Sequence, residues 1–347
     1  MKAIMKIEPG PGAEVKEVGI PEIKDNEVLV KVMATTICGT DVHIYMWDEW
    51  SSKRIKPPMI FGHEFSGEVV EIGKSVKSVK PGDFVSAETH IACGHCYMCR
   101  TGNAHLCINV KILGVDTDGA FAEYVAVPEA NVWQNDRSIP PEIASMQEPF
   151  GNAVHATLIE DIAGKTVAIF GAGPIGIMSA EVARASGASK IFIVEPNEFR
   201  RNLASRFGKF YILNPQEVDP VEFIMDMTEG IGVDVFLEMS GAPKAIIQGI
   251  RSTRKGGRVS LLGIPKSNVE FEEFAEDIVF RGIRIYGING RLMFDTWYRV
   301  RELLTSGRVD LAPLITHKFT FDDVDKAMDL LIKKQAAKIV LYPQKEE

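Results

Sequence analysis

The sequence has no long hydrophobic run. Its longest uncharged stretch, Thr166–Ala180, is 15 residues and is interrupted by Gly171, Gly173, Pro174 and Gly176. A bilayer-spanning helix needs about 20 predominantly apolar residues, so no membrane span is expected. The first eight residues carry Lys2, Lys6 and Glu8 with no unbroken apolar stretch; no secretory signal is expected, and a cytoplasmic location is. A basic excess is missing too. Lys and Arg number 39 against 47 Asp and Glu, a net charge of −8, which offers nothing to neutralise a phosphate backbone and argues against a nucleic-acid partner. Internal repeats and low-complexity segments are absent. At 46% hydrophobic and 25% charged residues the chain has an ordinary globular composition, and 347 residues suggest two domains.

Cysteine is scarce as well, but its five copies are unevenly placed. Four fall between Cys93 and Cys107, and Cys38 stands apart. An odd count in a chain with no expected export signal argues for thiolate ligands or reactive thiols, not a disulfide framework.

Two textures divide the chain. Up to about residue 150, short alternating runs such as Glu27–Val32, Gly67–Gly73 and Asp83–Ser86 sit between Gly and Pro. Period-2 alternation of this kind predicts an irregular antiparallel β domain. From Lys165 to about Gly290, apolar runs (Thr166–Phe170, Ile191–Val194, Val233–Leu237, Arg258–Leu262, Arg284–Tyr286) alternate with helix-length stretches such as Pro174–Ala185 and Phe199–Phe207. That rhythm predicts βαβ units and a parallel sheet. Two amphipathic stretches, Phe294–Thr305 and Phe321–Ile332, and a last strand, Lys338–Tyr342, follow.

Within the second texture lies Gly171-Ala172-Gly173-Pro174-Ile175-Gly176. A glycine triplet alone means little, but this one follows an apolar strand and opens a helical stretch. Gly171 permits the tight turn, Gly173 lets the backbone approach a pyrophosphate, and Gly176 allows close packing of helix on strand. The helix N-terminus supplies free N–H groups to the phosphates. Glu195, 19 residues past Gly176, is the acidic residue expected at the ribose. A carboxylate there repels a 2′-phosphate, so NAD is expected rather than NADP; Arg200, one helical turn on, could cover the adenosine or rescue some NADP binding.

Cys93, Cys96, Cys99 and Cys107 lie within fifteen residues, three of them at two-residue spacing. Four thiolates so placed suit a tetrahedral Zn²⁺ with no open position, hence a structural site. An iron–sulfur cluster is the rival. However, seven residues separate Cys99 from Cys107 and Ile108 follows it, unlike the ferredoxin run with its final Cys-Pro. A third group combines Cys38 with Gly62-His63-Glu64. One thiolate, one imidazole and one carboxylate suit a catalytic zinc with an open position, and Glu148 offers a second carboxylate. Thr40 and His43, one turn apart after Cys38, could pass a proton from the buried site to solvent; packing against Trp47 and Trp50 is the alternative for His43.

At this point the chain resembles the zinc-dependent medium-chain dehydrogenases over nearly its whole length. The resemblance rests on Cys38-x-Thr40-x-x-His43, Gly62-His63-Glu64-x2-Gly67, Pro81-Gly82-Asp83, the four-cysteine lobe and the Gly171–Gly176 loop. It implies an α/β fold: a GroES-like irregular β catalytic domain over 1–150 and 291–347, with the zinc lobe at 90–110, and a Rossmann doubly wound NAD-binding domain over 151–290. It also implies two zinc ions per chain and a homotetramer. Ile175, Glu195 and Arg200 would contact the cofactor near its diphosphate and adenosine. Leu262-Gly263-Ile264 and Ile288-Asn289 would line the nicotinamide end. Glu148 stands where the zinc alcohol dehydrogenases carry a cysteine ligand, so either Glu64 or Glu148 completes the shell, and Glu148 would otherwise assist the relay of Thr40 and His43. Long runs such as 37–50, 148–155 and 290–297 narrow the likeness to a branch oxidising the hydroxyl of a small amino acid. A polyol or 2,3-butanediol is the alternative substrate.

Overall fold

In the strand Glu27–Thr36 the side chains of Val30, Val32 and Ala34 are buried while Lys31 and Met33 are exposed, and beyond Ala34 both faces are covered. Period-2 patterning thus gives way to full burial toward Thr36. The strand is longer than its alternating part because it is paired on both edges: Thr36 lies opposite Glu64 on one side and Val340 on the other. In this computed structural model, which describes residues 1–343, the chain divides into two compact units. The first comprises Met1–Pro149, Leu292–Thr305 and Leu314 onward; the second comprises Phe150–Arg291 and Ser306–Pro313.

The first unit is built on a seven-stranded sheet. Its main path runs Val132–Gln134, Phe84–Ala87, Glu64–Ile72, Glu27–Thr36, Lys338–Tyr342, Ile315–Thr320, with Tyr124–Pro128 also paired to Glu27–Thr36. All of these pairs are antiparallel except that between the last two strands. Val28, Val30, Val69, Val85 and Val125 form one core of this unit; Ile4, Phe61, Phe121, Phe321 and Leu341 belong to another. The helices α1 (Gly39–Met46) and α2 (Glu49–Arg54) follow the central strand.

The second unit holds a six-stranded sheet, parallel throughout. Its order is Tyr211–Leu213, Lys190–Val194, Thr166–Phe170, Val233–Glu238, Thr253–Leu261, Arg284–Gly287. In sequence terms this is 3-2-1-4-5-6, the doubly wound order whose switch point lies beside the first strand. The helix Pro174–Ala185 begins with proline in its first turn, where the missing N–H is no loss. Two differences from the sequence expectations have simple causes. The fifth strand starts at Thr253, five residues earlier than its apolar run, because the Gly256-Gly257 pair and a register shift interrupt the pattern. Ser306–Pro313 packs with the second unit, not the first: Val309 and Leu311 are buried there and Arg184 Nη2 donates to Arg308 O at 2.8 Å.

Candidate active site

Cys38 is the N-cap of α1, in extended backbone (φ −94°, ψ 162°), directly after the central strand. Its amide donates to Asp41 Oδ2 at 2.8 Å, which locks the first turn. His63 and Glu64 enter from the neighbouring strand. The preceding Gly62 has φ +86°, and a Cβ there would lie 2.2 Å from the Phe121 ring, so only glycine delivers His63 at this angle. Ligand atoms of Cys38, His63 and Glu64 all lie within 4.8 Å of one another.

The atoms around this point are buried and incompletely paired. Asp41 Oδ1, His63 Nδ1 and Glu64 Oε1 have no hydrogen-bond partner, although Asp41 Oδ1 and His63 Nδ1 face each other at 3.6 Å. Burial pushes the Asp41 carboxyl up to about 6, against the opposing pull of the His63 charge. For His63, burial works downward, yet the charges of Asp41 and Cys38 raise its pKa well above the ordinary value. Glu64 Oε2 is occupied: Thr36 Oγ1 and Lys338 Nζ both donate to it. Lys338 is itself only 2% exposed, and burial alone would lower its pKa, but Glu64 and Cys38 raise it. The Cys38 sulfur, the His63 imidazole and the unpartnered Oε1 of Glu64 converge in a buried, charged pocket, a donor set that fits a zinc ion, whose divalent charge would compensate them.

Glu148 is also buried and accepts from Thr89 Oγ1 at 3.1 Å. Its charge reaches His63 and Lys338, but it does not belong to the compact ligand set. Thr40 Oγ1 lies 3.8 Å from Cys38 Sγ. One turn on, His43 Nδ1 pairs with Asp48 Oδ2 at 2.5 Å and meets the Trp50 ring edge-on at 6.4 Å.

The four cysteines come together as a second cluster. Cys96 Sγ is 3.5 Å from Cys99 Sγ and 3.9 Å from Cys107 Sγ. Backbone amides of Cys93 and Asn109 both donate to Cys107 Sγ at 3.3 Å. The His95 amide is the main group that holds the Cys93 thiol down, to about 6. Amide donors of this kind favour thiolates, the form that ligates metal.

In the second unit the three loop glycines differ in what surrounds them. Gly171 has φ +103°, and a Cβ on it would press on Met239 and Ser240 at 2.9 Å; a Cβ on Gly176 would lie 1.9 Å from Gly171 O, whereas one on Gly173 would meet only open space. Ile175 is half-buried in the first turn of the helix. Glu195 follows the second strand of the chain's order and props the loop: Oε2 accepts from the Ala172 amide at 2.8 Å and Oε1 from the Asn197 amide at 2.9 Å. Arg200 Nη1 stands 3.9 Å from Glu195. Leu262, Gly263 and Ile264 leave the end of Thr253–Leu261, and Ile288 and Asn289 the end of Arg284–Gly287; Ile288 N donates to Leu261 O at 2.9 Å. All of these positions therefore sit at the carboxyl ends of parallel strands, where such sheets bind ligands.

Sequence reasoning missed Thr36, Asp41, Asp48 and Lys338. Asp41 and Asp48 lay inside a quoted run without a role. Lys338 carried one readable signal, a lone cation opening an otherwise apolar terminal strand.

Residues 24–140 match the family described as alcohol dehydrogenase GroES-like domain, and residues 174–306 the family described as zinc-binding dehydrogenase. An L-threonine 3-dehydrogenase of Caldanaerobacter subterraneus subsp. tengcongensis is 55% identical over 99% of both chains, and one of Pyrococcus horikoshii 54% identical over 98% of both. Among solved structures, a zinc-binding dehydrogenase of Sinorhizobium meliloti bound to NADP superposes with TM-score 0.90 at 32% identity, covering 99% of each chain. The 2R,3R-butanediol dehydrogenase of Bacillus subtilis does so with TM-score 0.89 at 30% identity over 99% of each. With folds, motifs and relatives in agreement, the chain belongs to the zinc-binding dehydrogenases and, within them, to the L-threonine 3-dehydrogenase family.

Proposed function

We propose that the protein oxidises the 3-hydroxyl of L-threonine to 2-amino-3-oxobutanoate with NAD as hydride acceptor. Identity of 55% over 99% of the chain to an L-threonine 3-dehydrogenase carries this reading. Cys38, His63 and Glu64 would hold the catalytic zinc, and Cys93, Cys96, Cys99 and Cys107 a structural one. When bound, zinc supplies the Lewis acidity that makes a secondary hydroxyl easier to deprotonate, and NAD supplies the hydride acceptor.

The chain's own residues do the rest. Asp41 faces His63, and Thr36 and Lys338 hold one oxygen of Glu64, so two of the three ligands are oriented by further buried groups, an arrangement that fixes ligand geometry. Thr40 Oγ1, beside the Cys38 sulfur, would accept the proton leaving the substrate hydroxyl while its own hydroxyl proton passes to His43. His43, partly exposed, passes it to water. Glu148 adds a buried negative charge near His63 that favours positive charge in the site. The first unit would serve as the catalytic domain. The second unit would bind NAD along the Gly171–Gly176 loop, with Glu195 disfavouring a 2′-phosphate, Arg200 at the adenosine, and Leu262, Gly263, Ile264, Ile288 and Asn289 toward the nicotinamide. A cytoplasmic homotetramer is the state we assign to it in the cell.

Initial rates on L-threonine, sorbitol and 2,3-butanediol, each with NAD and NADP, test the proposal. L-threonine with NAD should give the highest kcat/KM; preference for a diol would replace the substrate, and preference for NADP would remove the role given to Glu195.

A further inference from the structure

Between α1 and α2 the chain reverses at Trp47, which is left-handed (φ +57°). The reversal brings Asp48 back against the last turn of α1, where its Oδ2 lies 2.5 Å from His43 Nδ1. Asp48 is itself held firmly. It is the N-cap of α2, its Oδ1 accepting from the Ser51 amide at 3.0 Å, while its own carbonyl accepts from Ser51 Oγ at 3.0 Å and the Ser52 amide at 2.9 Å. One carboxylate thus serves two masters, a helix end and an imidazole.

We propose that Asp48 is a positioning residue of the proton relay, fixing His43 as the tautomer protonated on Nδ1. This rests on the relay role given to His43 above. An ionised carboxylate only accepts hydrogen bonds, so the ring nitrogen facing it must carry the hydrogen. In the neutral ring Nε2 is then the acceptor, ready for the proton handed on from the substrate hydroxyl. On taking that proton the ring becomes an imidazolium paired with Asp48, and it returns to neutral by releasing a proton from Nε2 to bulk water. The Trp50 ring packs edge-on against the imidazole, the two ring centres 6.4 Å apart.

Asp48→Asn separates geometry from chemistry. Asparagine remains a good N-cap, so its oxygen can keep the Ser51 amide. Its NH₂ then faces His43 Nδ1 and demands an acceptor there, which moves the ring hydrogen to Nε2 and blocks proton uptake. The expected loss in kcat is about 10²–10⁴-fold, the usual worth of a positioned acid–base group, with KM and zinc content little changed. Ring ¹⁵N spectra, with His43 assigned by its absence in His43→Ala, should show neutral His43 protonated on Nδ1 in the native protein and on Nε2 in D48N. Asp48→Ser keeps the cap without reaching the ring, so it should lose less than D48N; should D48N fail to fold, D48S with a mixed tautomer and reduced kcat carries the same test. Native His43 protonated on Nε2, or D48N as active as the native enzyme while His43→Ala is crippled, overturns the role of Asp48 alone. Full activity in His43→Ala overturns the relay itself.

Discussion

The two cysteine-bearing clusters of the first unit differ in almost every respect but the ion they suit. The four-cysteine lobe takes all its ligands from positions 93–107, and its sulfurs are steadied by backbone amides. The Cys38–His63–Glu64 set takes ligands from a helix start and an adjacent strand, and is steadied by side chains with charge: Asp41, Lys338 and, at longer range, Glu148. One cluster is local, four sulfurs from fifteen residues. The other is unsaturated, heavily charged and assembled from distant chain. On the roles proposed above, a structural site can be written into fifteen residues of sequence, whereas a reactive one needs the fold to bring opposing charges together.

Breaking each cluster should therefore damage a different property. Zinc contributes about 10–16 kcal/mol to folding in small zinc-finger peptides, comparable to the about 5–15 kcal/mol by which whole domains are stable. Cys96→Ser is accordingly expected to lose one zinc and most of its thermal stability. Cys38→Ser should lose the other zinc and all measurable turnover while melting close to the native protein. Elemental analysis beside calorimetry decides; two variants that melt alike would erase the distinction between the sites.

A second test sharpens the contrast by removing charge but no ligand. Lys338→Met leaves Glu64 buried beside Thr36 without its cation, and breaking such a pair from one side costs about 3–5 kcal/mol. Because zinc would itself compensate Glu64, the loss should be large in chelator-treated protein and much smaller with zinc added. Melting curves with and without metal would show this, and an equal loss in both states would mean that Glu64 does not face the ion. In the lobe the sulfurs take backbone amides and the neutral Asn109 side chain instead.

The smallest expected effect separates the two carboxylates. Glu64→Gln should lower zinc affinity, whereas Glu148→Gln should keep two zinc ions per chain and reduce kcat by about tenfold, less than the about 10²–10⁴-fold of a group that itself transfers the proton. Titration with a chromogenic chelator alongside kinetics distinguishes them. Zinc loss in Glu148→Gln would exchange the roles of the two residues.

What could be read from the sequence follows the same divide. The lobe and the glycine loop were legible because their chemistry is local: spacing alone sets which sulfurs meet, and the turn at Gly171 is required by the strand before it and the helix after it. Strands Thr166–Phe170 and Lys338–Tyr342 were legible to the residue, being short apolar runs between clear breaks. Glu27–Thr36 was underestimated because its last residues are buried on both faces and lose the alternation. Cys38, His63 and Glu64 were each visible, but which of Glu64 and Glu148 lies beside the other two was not, since it depends on the long-range pairing that sets Glu64 opposite Thr36. Of Lys338 only a lone cation on an apolar strand was readable, not the partner it meets. Its contact with Glu64 spans 274 residues and exists only because the terminal strand pairs antiparallel with Glu27–Thr36.

That last pairing has a consequence for synthesis. The lobe's four cysteines are all present once residue 107 has been made, but the cation that pairs with Glu64 is made 231 residues later (338 − 107). At about 5–20 residues per second, the nascent chain spends tens of seconds with Cys38, His63 and Glu64 translated and their counter-ion still unmade. During that interval the lobe can already hold metal, while the future reaction centre carries an uncompensated carboxylate that resists burial. Maturation of the enzyme should thus run in a fixed sequence, scaffold metal early and reactive metal only after the carboxyl-terminal strand has docked.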